Sequence, residues 1–155
     1  MKHETDRTTL RRFSWLLLAA ALAGPCHAAL GDLEASVSAD AARLKTSPSL
    51  ASRPAFNVHE LQAPTGTVIR EFVTASGVVF AVSWQGPLKP DLNLLLGRYF
   101  GAYAHAPRSP GSSRSRLMID QPDLIVRAGG RVRAFAGIAY VPQLLPAGVT
   151  AGDLR

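Results

Sequence analysis

Two β-rich runs constrain this chain most. Thr67–Thr74 and Val78–Trp84 are dense in β-branched and aromatic residues, the composition of strands that pack on a pleated surface. Between them, Ala75-Ser76-Gly77 suits a three-residue hairpin loop with Gly77 in the left-handed position. Pairing about that loop sets Phe72 opposite Phe80, Arg70 opposite Val82 and Val68 opposite Trp84. Ile69, Glu71 and Val73 then share the other face with Ser83, Ala81 and Val79. Arg70 and Glu71 are consecutive, so they must point to opposite faces of the sheet. Both faces are otherwise largely apolar, so at least one of these charges lies near buried surface and needs a partner or a route to solvent.

Around this hairpin the remaining pattern is mixed. Phe56–Leu61 is a third strand, and Leu124–Arg127 with Arg131–Val141 form a second hairpin about a Gly129-Gly130 turn. In the last strand Arg131, Arg133 and Phe135 share one face. Apolar residues at 92, 95, 96, 99, 100 and 103 fall at helical spacing and predict an amphipathic helix over 90–103, opened by Pro90. Asp91 and Arg98 complement its dipole. Leu33, Val37, Ala41 and Leu44 mark a short N-terminal helix within 32–44, with Asp32 as its cap. Residues 45–55 read as a loop. Residues 104–116, rich in Pro, Gly, Ser and Arg, read as a mobile surface loop. The expected fold is α+β: an antiparallel sheet of about five strands, one long amphipathic helix on a face and the short N-terminal helix.

The start of the chain predicts export. Lys2, Arg7, Arg11 and Arg12 form a basic region ahead of an uncharged, mostly apolar run from Phe13 to Gly24. That run is short of the ~20 residues a membrane-spanning helix needs. Pro25 follows, and Cys26 and Ala28 offer small residues at the −3 and −1 positions of a signal peptidase site, with Ala29 as the alternative cleavage point. Residues 1–28 are therefore expected to be a signal peptide, and 29–155 a single periplasmic or secreted domain that meets a membrane only through the leader. Cys26 is the sole cysteine, so the processed chain can use no thiol nucleophile, thiolate metal site or intramolecular disulfide. Four of the 17 basic and two of the 11 acidic residues also leave with the leader, so only a mild basic excess remains. That excess is no specific footprint for nucleic acid.

Two blocks carry a resemblance. The first runs from Gly66-Thr-Val-Ile-Arg-Glu-Phe-Val73 through Ser76-Gly-Val-Val-Phe-Ala-Val-Ser-Trp-Gln-Gly-Pro87 to Leu96-Gly-Arg-Tyr-Phe100. The second is Gly129-Gly-Arg-Val-Arg-Ala-Phe-Ala-Gly-Ile-Ala-Tyr-Val-Pro142, ending at Leu145-Pro-Ala-Gly148. Together they resemble the exported proteobacterial family catalogued as domain of unknown function 2844, across essentially the whole processed chain. The resemblance implies a signal peptide followed by one domain, and implies no activity.

No residue pattern points to catalysis, a cofactor or a metal. His59 and His105 are isolated and read as ordinary surface residues, whereas a metal needs three or four convergent ligands. His59 and Glu60 are adjacent in a strand and diverge. No serine lies in a Gly-x-Ser-x-Gly elbow. Glu60 and Glu71 are the carboxylates a polymer-cleaving hydrolase or lyase would use. The candidate binding surface is aromatic and basic: Trp84, Gln85, Arg70, Glu71, Arg98, Tyr99, Arg131 and Arg133, with Trp84-Gln85-Gly86-Pro87 at its centre where a strand meets the surface. The expected function is a non-catalytic envelope binding or accessory module, its partner an envelope protein or polymer. The alternatives are the hydrolase or lyase, and a binder of anionic lipid or nucleic acid through 108–116 and the Arg131 strand.

Overall fold

The computed structural model describes residues 29–43 and 45–154. The expected signal peptide and Leu44 lie outside them. Among the described residues seven strands form one antiparallel sheet. They are β1 (Ser49–Ser52), β2 (Phe56–Gln62), β3 (Val68–Thr74), β4 (Val79–Gly86), β5 (Arg116–Asp120), β6 (Ile125–Arg131) and β7 (Ala134–Tyr140). Their order in space is β1-β2-β3-β4-β7-β6-β5. Two meanders thus meet where β4 pairs with β7, and the central β4 is buried along nearly its whole length.

The fold is α+β, but the expected sheet of about five strands is two strands short. Both additions are edges. β1 arises inside the expected loop 45–55, and all four of its residues are exposed. β5 begins at Arg116, the last residue of the segment expected to be a loop. Edge strands need bury only one side, so they carry little of the apolar signal that marks central strands.

The long helix is also corrected. Leu92–Phe100 keeps its apolar spacing, but the backbone breaks into α2 (Leu92–Leu96), a 3-10 turn (Gly97–Tyr99) and α3 (Phe100–His105). The break is at Gly97, whose φ is +47°, and a Cβ there would lie 2.1 Å from the Cβ of Ala29. Only glycine lets the N-terminal segment pass so close to the helical backbone. Asp91 caps α2 by accepting from the Asn93 amide. At the N-terminus, a 3-10 turn (Glu34–Ser36) leads into α1 (Val37–Arg43). Asp32 does not cap this segment; it pairs with Arg98 of the helical layer.

These pieces cover the two faces of the sheet unequally. On one face, Leu30, Val37, Ala41, Leu95 and Leu96 pack over Leu61, Ile69, Val82, Trp84, Val126 and Ala139. On the other, Phe56, Phe72 and Phe80 make edge-to-face and tilted ring contacts with centroids 5.7–6.3 Å apart. The C-terminal segment covers that cluster with Leu144, Leu145, Val149 and the buried Leu154. It covers only part of the second face.

Register decides which residues reach the part left open. The expected pairing holds at Val73 opposite Val79, but a bulge then shifts β4 by one residue, giving Phe72 opposite Ala81 and Arg70 opposite Ser83. The second hairpin turns at Val132-Arg133 rather than at Gly129-Gly130, which lie inside β6. Arg133 takes the left-handed conformation there, with φ +67°.

Candidate functional site

Cross-strand pairing sets the rows of side chains on the open half of the second face. One row runs Glu60, Arg70, Ser83, Ile138, Arg127 and Met118 through β2, β3, β4, β7, β6 and β5. The next row runs Gln62, Val68, Gln85, Ala136, Gly129 and Arg116. Over β3, β4, β7, β6 and β5 these rows form an open groove of about 540 Å³. Its floor is low because Ala136 and Gly129 carry little side chain, and its polar groups are the three arginines with Ser83 and Gln85.

Two of the arginines are held in place. Arg70 Nε donates to Glu60 Oε2 at 2.8 Å, across the β2–β3 ladder. Arg127 donates to the carbonyls of Ile119 and Val126 at 2.9 and 3.1 Å and pairs with Asp120. The Arg127 hydrogen bond, with a second from Ser109, lowers the Asp120 carboxyl below its ordinary pKa. The guanidinium forks are therefore oriented before any ligand arrives, which lowers the ordering cost of binding. Arg116 lies on the exposed edge strand.

The sequence-derived surface is dispersed by this geometry. Arg70 and Gln85 lie on the groove. Trp84 is 4 % exposed and belongs to the core of the opposite face. Its indole lies against Gly137, where a Cβ would stand 2.2 Å from Cζ2. Glu71 is 1 % exposed, on the face of Val82 rather than that of Arg70. Arg98 pairs with Asp32, which raises its pKa through a hydrogen bond, and Tyr99 packs against Gly31. Arg131 and Arg133 sit at the exposed tip of the β6–β7 hairpin. Trp84 and Glu71 are thus almost wholly buried, Arg70 and Gln85 meet on the groove, and Arg98, Tyr99, Arg131 and Arg133 lie away from it.

His59 corrects another expectation. It is 9 % exposed, and Nε2 donates to Glu34 Oε1 at 2.6 Å, tying the N-terminal turn to β2. Glu71 is its cross-strand neighbour on the same face. His105 is exposed at the end of α3 and donates from Nδ1 to the Gly101 carbonyl at 2.8 Å. The Glu60 and Glu71 carboxylates fall on opposite faces of the sheet and cannot flank one bond. Among the described residues no group of three or more His, Cys, Asp or Glu is placed to hold a metal ion.

The sequence pattern did not single out Ser83, Arg127 or Ala136 as site residues, and it offered Arg116 only as the end of the 108–116 segment of the anionic-ligand alternative. Their convergence depends on β4 pairing with β7, whose paired residues lie 49 to 59 positions further along the chain.

A family model, described as protein of unknown function (DUF2844), matches residues 26–154. The chain belongs to that family. No curated protein and no solved structure matches it. The DUF2844 match spans every strand of the sheet and all the residues of the groove.

Proposed function

We propose that this DUF2844 protein is an exported, non-catalytic binding module of the periplasm or cell envelope, and that it takes a hydroxyl-rich envelope polymer on the open half of its sheet. The groove carries this reading: a floor of small side chains under preoriented arginines, Ser83 and Gln85. A polymer with many hydroxyls matches that mixture of donors and flat apolar surface. Export is supported by the basic and apolar pattern of residues 1–28 and by the family match, which starts only at residue 26. Ala29 and Leu30 are buried in the main core, which favours cleavage after Ala28, the point that leaves both in the processed chain.

The test is co-sedimentation of purified protein with isolated peptidoglycan sacculi, alongside analysis of soluble fragments. Wild type is expected to sediment with the sacculi and release nothing. Gln85 is exposed on the groove, so Gln85→Trp fills it without disturbing the core and should weaken binding at least tenfold. Undiminished binding by Gln85→Trp, failure of wild type to bind, or release of fragments by wild type would each sink the proposal.

A further inference from the structure

A second pocket lies around the edge of the sheet from the groove, on the face covered by the helices. It encloses about 220 Å³. Four cations line it: Lys89 before α2, Arg108 and Arg114 in the segment before β5, and Arg116 at the start of β5. No carboxylate lines it. The ion pairs among the described residues engage other groups, namely His59, Arg70, Arg98 and Arg127. Among the described residues these four cations thus have no ion-pair partner, in contrast to Arg70 and Arg127 in the groove, and all four are exposed.

The frame around them is built from hydrogen bonds. Ser113 and Arg116 exchange backbone bonds of 2.7 and 3.3 Å, closing a tight turn with Arg114 and Ser115 at its tip. The Gly130 amide donates to the Ser115 carbonyl at 3.2 Å, fastening that turn to β6. Ser112 Oγ holds the Met118 amide and carbonyl at 3.0 and 3.1 Å. Lys89 Nζ stands 5.2 Å from the centroid of the Phe135 ring, which also lines the pocket.

We propose that this pocket binds a phosphate-type oxyanion. Four like charges around one small space repel one another, and a polyvalent anion relieves that repulsion where a single carboxylate would leave most of it. Guanidinium forks match phosphate oxygens in pairs, and the hydroxyls of Ser113 and Ser115, which also line the pocket, supply further donors. The pocket adjoins the groove and shares Arg116 with it, but Lys89, Arg108 and Arg114 do not line the groove, so the oxyanion reading does not rest on the polymer-binding one.

The experiment is calorimetric titration of purified protein with pyrophosphate at low salt. It is run on wild type, on Arg108→Gln/Arg114→Gln, and on Arg131→Gln/Arg133→Gln, which removes the same charge from the hairpin tip outside the pocket. Pyrophosphate should bind wild type, lose at least tenfold in affinity with the pocket variant, and lose less than threefold with the hairpin variant. Gln85→Trp should leave pyrophosphate binding unchanged, which separates failure of the groove from failure of the pocket. A parallel arm with phosphatidylglycerol vesicles identifies the source: binding to both probes assigns a lipid headgroup, and binding to pyrophosphate alone assigns a soluble or polymer-borne phosphate. No pyrophosphate binding by wild type, or equal losses in the two arginine variants, would overturn the proposal.

Discussion

Gly137 and Trp84 show how one missing side chain sets the packing of the core. They face each other across the β4–β7 ladder, and the ring occupies the space a Cβ would take, with Cζ2 at 2.2 Å and Cε2 at 2.5 Å. Neighbouring Ala128 would add a third contact at 2.9 Å. An alanine at 137 must push the indole out of a full layer. Gly137→Ala should therefore lower stability by about 2 kcal/mol, read as a fall in the urea midpoint at unchanged slope. A wild-type midpoint would mean that the ring is free to move. The Arg70–Glu71 step is the other residue-scale lesson. That the two charges diverge follows from strand geometry alone. Which of them is buried could not be read locally, because it depends on what covers each face: the N-terminal segment and helical layer over Glu71, open solvent over Arg70.

At the scale of elements, the N-terminal segment acts as a clasp on the helical face. Leu30 donates to the Leu95 carbonyl at 3.0 Å, and Gly31 to that of Val79 at 2.7 Å. Val79 returns a bond to Asp32 at 2.9 Å. The Asp32–Arg98 and Glu34–His59 pairs extend the clasp to the helical layer and to β2. Gly97 permits it by giving Ala29 room. Gly97→Ala combines a left-handed φ with a backbone-proximal clash, so a loss of about 2–3 kcal/mol is expected. Hydrogen exchange should show the Leu30 and Gly31 amides losing protection before those of β4. Uniform loss across the sheet would refute the clasp. The break at Gly97 also explains why apolar spacing overstated the helix. Spacing reports which side chains face the core, and here that face persists through a kink that periodicity does not register.

For the molecule as a whole, acid stability is expected to draw on two carboxylates, one ending the edge strand β5 and one near the C-terminus. Asp120 is lowered in pKa by hydrogen bonds from Arg127 and Ser109. Asp153 is lowered by the Thr150 backbone amide and then by its side chain, the reciprocal cap of a 3-10 turn (Ala151–Asp153). That turn precedes Leu154, buried in the phenylalanine cluster. The folded protein holds these two protons less tightly than the unfolded chain does. Their stabilisation is thus complete above the ordinary aspartate pKa of about 3.9 and is lost as pH falls through the lowered values. The urea midpoint should be level from about pH 7 to pH 5 and fall below about pH 4. In Asp153→Asn that decline should be shallower. An equally steep decline in the variant would show that other carboxylates control it.

The sequence by itself determined the central strands, the apolar side of the helical segment, the family and the divergence of Arg70 from Glu71. These depend on residues within a few positions of one another, where alternation and helical spacing are set by backbone geometry. Tertiary structure alone decided the two edge strands, the one-residue slip at the β3–β4 bulge, the turn at Val132-Arg133 and the burial of Trp84. It also decided both candidate sites. A strand end looks like surface until another segment covers it, and Trp84 is covered by the helical layer. Arg70, Ser83, Arg127 and Arg116 are distant in the chain and meet only because β4 pairs with β7. Local pattern records how each strand alternates; long-range pairing records which strands share a face and which part of it stays open to a ligand.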